Sequence, residues 1–138
     1  MITFGIANLK KLLPLAHKYN ARVVLPNRRD YPGSAPFSPE ELANLTKLAN
    51  AAPGSPEAIE GTEREIKTRA REVYDYLIDV VKKEHIPPVQ GKTGGIILAG
   101  WSFGAVWISA LLANVATFPV GEIRLKDYVR QLVYYGAS

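Results

Sequence analysis

The sequence predicts an α/β fold in which a small parallel sheet is flanked by helices. Short β-branched runs alternate along the chain with segments that carry apolar residues at helical spacing. The run 95–100 also passes through a glycine-containing turn directly into an apolar helix, predicted over 103–116. Strands separated by helices favour parallel pairing with right-handed crossovers. At 138 residues the chain has the length of one domain, so we expect residues 1–138 to form a single domain.

The first part of the chain predicts two helices and one strand. Leucines at helical spacing predict a helix over 7–19, with a kink at Pro14. The β-branched run "RVVLPN" predicts a strand over 22–27. A capping box with proline at the first helical position, "SPEE" at 38–41, predicts a helix that runs to about residue 51.

The second part predicts a long helix and two further strands. A loop, "APGSPEAIEGT", leads to a second capping box, "TERE" at 62–65, where the longest helix is expected to begin. One face of that helix is apolar and is formed by Ile66, Ala70, Val73, Leu77 and Val81. The strand 95–100 and the helix 103–116 follow, and "RQLVYYG" at 130–136 predicts the last strand.

Composition limits the partners of the protein. The chain is 47% hydrophobic and 22% charged, as expected of a globular protein, and it contains no cysteine for a disulfide or a thiolate metal site. Its net charge is +4, but basic and acidic residues are interspersed, which favours a solvated helix face over nucleic-acid binding. Lys10 and Lys11 interrupt the apolar N-terminus, so we expect a cytoplasmic protein without a signal peptide or a membrane partner.

No cofactor or metal ion is expected either. The segment "QGKTGG" at 90–95 precedes a strand and has isoleucine at position 86, where a phosphate-binding loop needs glycine. The two histidines stand far apart in the sequence, which disfavours a transition-metal site.

The segment "GWSFG" at 100–104 carries the chemistry. A serine at a tight turn from strand to helix is forced towards positive φ, and glycines on both sides avoid a collision of side chains. Such a turn exposes the hydroxyl of Ser102 at a helix N-terminus, where the N–H of Phe103 and the helix dipole would stabilise an oxyanion. The alternative is a tight turn with a small polar cap and no catalytic role.

The chain resembles the α/β-hydrolase family, in particular its fungal members. The resemblance covers nearly the whole chain and rests on "LLPLAHKYNARVVLPNRRDYPGSAPFSPEEL", on "GGIILAGWSFGAVWISALL" and on "YVRQLVYYG". It implies a serine hydrolase with Ser102 as nucleophile, Phe103 as backbone oxyanion donor and a carboxylic ester or related acyl compound as substrate.

Two departures from the family pattern concern the ends of the domain. The family places an acid and then a histidine after its serine, whereas no histidine follows Ser102. The start "MITFG" leaves at most residues 3–5 as a remnant of the oxyanion loop. We therefore expect a hydrolase domain truncated at both ends, as a shortened natural form, an incomplete gene model or a proteolytic or designed piece.

Further candidate site residues follow the predicted strand 22–27, at the edge of the sheet where Ser102 is expected; they are Asn27, Arg28, Arg29, Asp30 and Tyr31. Asp30 is a candidate to orient a water molecule or accept a proton, and the arginines are candidates to bind an anionic group. The alternative is an Arg–Asp network that fixes the loop. Trp101 and Phe103 are candidates to line an apolar acyl pocket, whereas Trp107 favours a place in the core.

The two histidines are expected at the opposite edge of the sheet. His17 ends the first helix and His85 ends the long one, so each favours a structural role over contact with Ser102 in its own chain. A three-stranded parallel sheet leaves unpaired edges, which predicts a homodimer, and a second copy would be a source of the histidine. The alternative to an esterase is a non-catalytic module that binds a small apolar ligand or a partner chain.

Overall fold

A computed structural model describes residues 10–136, which form four α-helices and one two-stranded sheet. The chain divides into two compact units, Met1–Lys47 and Leu48–Ser138. The mixed α/β class is confirmed. Among the described residues the sheet has two strands, rather than the three that the sequence predicts.

The first unit begins with a short helix. A 3-10 turn, Lys10–Leu12, leads into helix α1, Leu13–Lys18. Pro14 lies in the first turn of α1, where its missing N–H needs no partner, so the proline is compatible with the start of the helix and does not kink it. The part of the predicted helix at 7–9 lies outside the described residues.

The predicted strand at 22–27 is wrong, because these residues form neither a helix nor a strand. Only four residues of this run, 22–25, precede Pro26, and Pro26 has no N–H to donate to a neighbouring strand. A β-branched run becomes a strand only where another strand is available to pair with it.

Helix α2, Pro39–Ala49, begins at the predicted capping box. The Ser38 N–H donates to Glu41 Oε2 at 2.7 Å, and the Glu41 N–H donates to Ser38 Oγ at 3.1 Å. These reciprocal bonds satisfy two N–H groups at the helix start.

The long helix α3, Pro56–Lys83, begins six residues before the predicted capping box at 62–65. Its N-cap is Ser55, whose Oγ accepts from the Ala58 N–H at 3.2 Å. Residues 56–61, expected to be loop, are therefore helical. The pattern Ser-Pro-Glu at 55–57 repeats the one that begins α2, and it overrides the later capping box.

The sheet consists of two parallel strands, β1 (Ile96–Trp101) and β2 (Val129–Tyr135). Helix α4, Gly104–Asn114, connects them together with two 3-10 turns, Val115–Thr117 and Leu125–Asp127. Both strands lie within one residue of their predicted positions, and the predicted parallel pairing is confirmed.

The core of the second unit lies between α3, α4 and one face of the sheet. Its buried members are Ala70, Tyr74, Leu77, Ala110, Leu111, Phe118 and Leu125. Ile96, Leu98 and Val129 of the sheet pack against them. In contrast, the side chain of Ile97 is 55% exposed, so helices α3 and α4 cover only one of the two faces. No helix within residues 10–136 is both long and apolar enough to cross a membrane.

Candidate active site

Ser102 lies in the two-residue turn between the end of β1 and the start of α4. Its φ is 51°, in the left-handed region that costs a residue with a Cβ about 1–2 kcal/mol. The residue is exposed. A strained, exposed serine at a strand-to-helix turn has the backbone geometry that the nucleophile motif requires.

Gly100 allows the helix to approach the strand at this turn. A Cβ on Gly100 would lie 2.8 Å from both the N and the Cα of Ala105, which are backbone atoms that cannot move aside as a side chain does. Gly104 differs, because a Cβ there would meet nothing within 4 Å. The expected collision is therefore found at Gly100, and the expectation that Gly104 avoids a second one is wrong.

Three backbone hydrogen bonds hold the turn in place. The Ser102 N–H donates to the Tyr135 carbonyl of β2 at 2.9 Å. The Ser102 and Phe103 carbonyls accept from the N–H groups of Ala105 (2.9 Å) and Val106 (3.2 Å). The Ser102 N–H is thus committed to the sheet, so an oxyanion donor at this turn has to be a later N–H group. Within residues 10–136, no group forms a hydrogen bond with the Ser102 hydroxyl.

Aromatic side chains surround the turn. Phe103 is 53% exposed, and its ring meets the half-buried ring of Trp107 edge to face, with centroids 5.3 Å apart and planes at 89°. Trp101 is half-buried at the end of β1. Trp101 and Phe103 thus flank Ser102 along the chain, as the sequence indicates for residues that would line an acyl pocket.

His85 terminates α3. Its N–H donates to the Lys82 carbonyl, and the Ile86 N–H donates to the Val81 carbonyl at 3.0 Å. With φ at 49°, His85 occupies the left-handed position of a Schellman motif, where glycine is more usual. Its backbone therefore has a structural role at the end of the helix.

His85 and Ser102 lie at opposite ends of β1. The Gly95 N–H, immediately before β1, donates to the Pro87 carbonyl at 2.9 Å, which places the segment after His85 at the start of the strand. Ser102 follows the end of that strand, and six residues in a strand span about 20 Å. The structure does not bring these two residues together within one chain.

His17 is exposed in the last turn of α1, in the first unit. Its carbonyl accepts from the N–H of Asn20, which has a φ of 48°, while the Ala21 N–H donates to the Ala16 carbonyl. These bonds form a second Schellman motif. His17 contributes only its backbone carbonyl to this motif.

Arg29 is bound to Glu41. Its Nη1 and Nη2 donate to the two carboxylate oxygens at 2.5 and 2.7 Å, and Nη2 also donates to the Pro36 carbonyl at 2.8 Å. The guanidinium also lies 4.8 Å from the centre of the Phe37 ring. Arg29 thus fixes its own loop to α2, which disfavours the expected role in binding an anionic substrate.

The Arg29 side chain and the Ser38 N–H also change the acidity of Glu41. Their hydrogen bonds to the carboxylate lower the pKa of Glu41 from its ordinary value of 4.5 to about 2. The capping box and the ion pair share one carboxylate. An arginine network does fix this loop, as one alternative from the sequence proposes, but its acid is Glu41 and not Asp30.

Asp30 shapes the same loop through its backbone. Its φ is 65°, and its N–H donates to the Ala35 carbonyl at 3.0 Å. The guanidinium of Arg28 lies 5.5 Å from the centre of the Tyr31 ring, and the Tyr31 carbonyl accepts from the Ser34 N–H. Because residues 22–27 form no strand, residues 28–31 do not follow a strand of the sheet, contrary to the expectation from the sequence.

The geometry of the turn is therefore the main evidence about function. Comparison with known protein families, with curated proteins and with solved structures finds no match. A functional assignment has to rest on the residues around Ser102.

Proposed function

We propose that this chain is a serine hydrolase with a partial α/β-hydrolase fold, in which Ser102 attacks a carboxylic ester or a related acyl compound. One observation carries the proposal: Ser102 is exposed at a φ of 51° between β1 and α4. Backbone strain of this kind persists where the surrounding structure enforces it, and it recurs at active sites. The close approach at Gly100 and the hydrogen bond to Tyr135 supply that enforcement.

In the proposed reaction, the Ser102 Oγ forms a bond to the acyl carbon while its proton passes to a base. The negative charge that develops on the carbonyl oxygen is stabilised by the Phe103 N–H and by the positive end of the α4 dipole. The alcohol leaves as the carbon–oxygen bond breaks and the base returns its proton. Water then hydrolyses the acyl-enzyme by the same steps and releases the acid.

The general base that accepts the proton of Ser102 is the group that this chain does not supply next to the serine in the described residues. His85 lies at the far end of β1 in its own chain, so we assign the base to a second copy, which would present His17 or His85 to Ser102 in a homodimer. Without such a base, the remaining catalysis comes from oxyanion stabilisation and substrate binding, and turnover falls by several orders of magnitude. We therefore expect weak activity that depends on assembly.

A second candidate function is a non-catalytic module that binds a small apolar ligand or a partner chain. The observation in its favour is that, throughout the described part of the chain, no ionisable side chain is hydrogen-bonded to the Ser102 hydroxyl. In this case the exposed aromatic residues near the turn would bind the apolar ligand or the partner chain, and no reaction would follow.

Hydrolysis of p-nitrophenyl butyrate distinguishes the two functions. We expect slow turnover by the wild type that is lost in Ser102→Ala. Ser109→Ala is the matched control, because Ser109 is an exposed serine on α4, the helix that follows Ser102, and it should retain the wild-type rate. Equal rates for Ser102→Ala and the wild type would overturn the hydrolase and favour the binding module.

A further inference from the structure

Trp101 and Tyr135 form an aromatic pair next to Ser102. They are the last register partners of β1 and β2, and residues directly opposite each other on adjacent strands project to the same face of a sheet. The carbonyl of Tyr135 accepts the hydrogen bond from the Ser102 N–H. The pair therefore lies at the end of the sheet where the proposed nucleophile stands.

The pair faces away from helices α3 and α4. A Cβ on Gly100 would point at the backbone of Ala105 in α4, so Gly100 and its partner Tyr134 lie on the helix side. Side chains alternate along a strand, so Trp101 and Tyr135 project to the opposite side. The exposed fraction agrees, since Tyr135 is 72% exposed and Tyr134 is 45% exposed.

Gly136 allows the Trp101 ring to lie against the end of β2. A Cβ on Gly136 would lie 3.0 Å from Trp101 Nε1 and 3.2 Å from Cδ1, closer than an ordinary contact. The φ of Gly136 is 61°, which also favours glycine. Both features allow the indole of Trp101 to lie against the backbone of Gly136, which directly follows Tyr135 at the end of β2.

We infer that Trp101 and Tyr135 bind the aromatic acyl group of the ester that reacts with Ser102. This inference rests on the proposed function and names its substrate class, the esters of aromatic carboxylic acids. Trp101 is half-buried and Tyr135 is exposed on the face of the sheet away from α4, and such rings favour an aromatic partner in stacked or edge-to-face contact. The acyl carbon bonds to Ser102, which immediately follows Trp101 and whose N–H is hydrogen-bonded to the Tyr135 carbonyl, so we expect an aryl substituent on that carbon to reach these two rings.

The test compares two phosphonofluoridates that react with serine nucleophiles and carry either a phenyl or a cyclohexyl group on phosphorus. The two groups have similar size, but only phenyl is aromatic. The readout is the ratio of the two labelling rates at Ser102. Comparing this ratio between variants cancels the intrinsic reactivity of the probes.

In Tyr135→Ala we expect the phenyl-to-cyclohexyl ratio to fall by roughly three- to tenfold, as the loss of one aromatic contact implies. Tyr134→Ala is the matched control, because it removes the neighbouring tyrosine from the other face, and its ratio should equal that of the wild type. An unchanged ratio in Tyr135→Ala, or an equal fall in Tyr134→Ala, would overturn the inference.

A second measurement separates this inference from the proposed function. N-Methylbenzamide, an unreactive aryl amide, should shift the NMR signals of the Trp101 indole and the Tyr135 ring, and N-methylcyclohexanecarboxamide should not. Shifts without any labelling of Ser102 would leave the aromatic site standing and remove only the hydrolase. Absence of the shifts would overturn the aromatic site, whatever the labelling shows.

Discussion

The N–H of Ser102 donates a 2.9 Å hydrogen bond to the carbonyl of Tyr135. This bond continues the ladder between β1 and β2 one residue beyond the end of β1. It therefore helps to hold the backbone of Ser102 in its left-handed conformation against the neighbouring strand β2. The strain at Ser102 is therefore sustained by the sheet on one side and by the first turn of α4 on the other.

Gly100→Ala should destabilise the protein by about 1–3 kcal/mol, because the new Cβ would lie 2.8 Å from the backbone of Ala105. The measurement is urea unfolding. Gly104→Ala is the control: a Cβ there meets nothing within 4 Å, and alanine favours the helix, so stability should stay equal or rise by up to about 1 kcal/mol. Equal stability of the two variants would show that α4 does not approach β1 as described.

Ser55→Ala should cost about 1 kcal/mol, because its Oγ accepts the Ala58 N–H at the start of α3. Thr62→Ala should cost no stability, since Thr62 is exposed within the helix and alanine is the better helix former. Thermal or chemical unfolding measures both. A larger loss in Thr62→Ala than in Ser55→Ala would place the helix start at the later capping box.

Glu41 should make stability depend on pH at the acid end. Because the pKa of Glu41 is about 2 in the folded chain and ordinarily 4.5, its ionised form favours folding. That contribution is complete above about pH 4.5 and is lost as the pH falls towards 2.

An NMR titration of the Glu41 carboxyl tests this assignment. In Arg29→Gln the pKa of Glu41 should rise towards 4.5, because the hydrogen bond from Arg29 is the largest cause of its shift. Arg28→Gln is the control, since Arg28 is not among the causes of the shift. A titration of Glu41 near pH 4.5 in the wild type would contradict the ion pair.

We predict that the protein is a dimer. In the described part of the chain, the outer edges of β1 and β2 pair with no further strand, and unpaired edges readily pair with another chain. Parallel sheets are also normally covered on both faces, whereas Ile97, near the start of β1 and at the other end of the strand from Ser102, is exposed. Sedimentation equilibrium at micromolar concentration should give twice the chain mass of 15.2 kDa. A mass of one chain, with unfolding independent of concentration, would rule out the dimer and the histidine that it would supply.

The strand-turn-helix unit at 96–114 was predictable because its determinants are local. An apolar run, a glycine that admits the helix, a serine at the turn and a second apolar run follow one another directly in the sequence. Each limits the backbone within a few residues of itself. The positive φ of Ser102 and the close approach at Gly100 are both consequences of this order.

The features that sequence reasoning missed depend on a partner elsewhere in the chain, such as a neighbouring strand or an acidic side chain, or on competition between two motifs that can each start a helix. The run at 22–27 has the composition of a strand, but composition does not supply a neighbouring strand. Arg29 forms its ion pair with Glu41, twelve residues away, and not with the adjacent Asp30. The capping box holds the Glu41 carboxylate at the start of α2, where Arg29 binds it. The start of α3 was decided by Ser55-Pro56, a signal that was present in the sequence and that repeats 38–39.

Tyr135, which we infer to bind the acyl group, was not among the candidates from the sequence, although a signal for it existed. Parallel pairing of the last strand with β1 places "YYG" beside "GWS", but only the register shows which of the two tyrosines shares a face with Trp101. A slip of one residue would exchange Tyr134 for Tyr135.

The central claim is that Ser102 is a nucleophile, and covalent labelling with a fluorophosphonate followed by peptide mapping tests it most directly. We predict one labelled peptide, modified at Ser102, whose modification is lost in Ser102→Ala and retained in Ser109→Ala. Labelling of Ser102→Ala to the same extent as the wild type, or a wild type that stays unlabelled while folded, would contradict the claim.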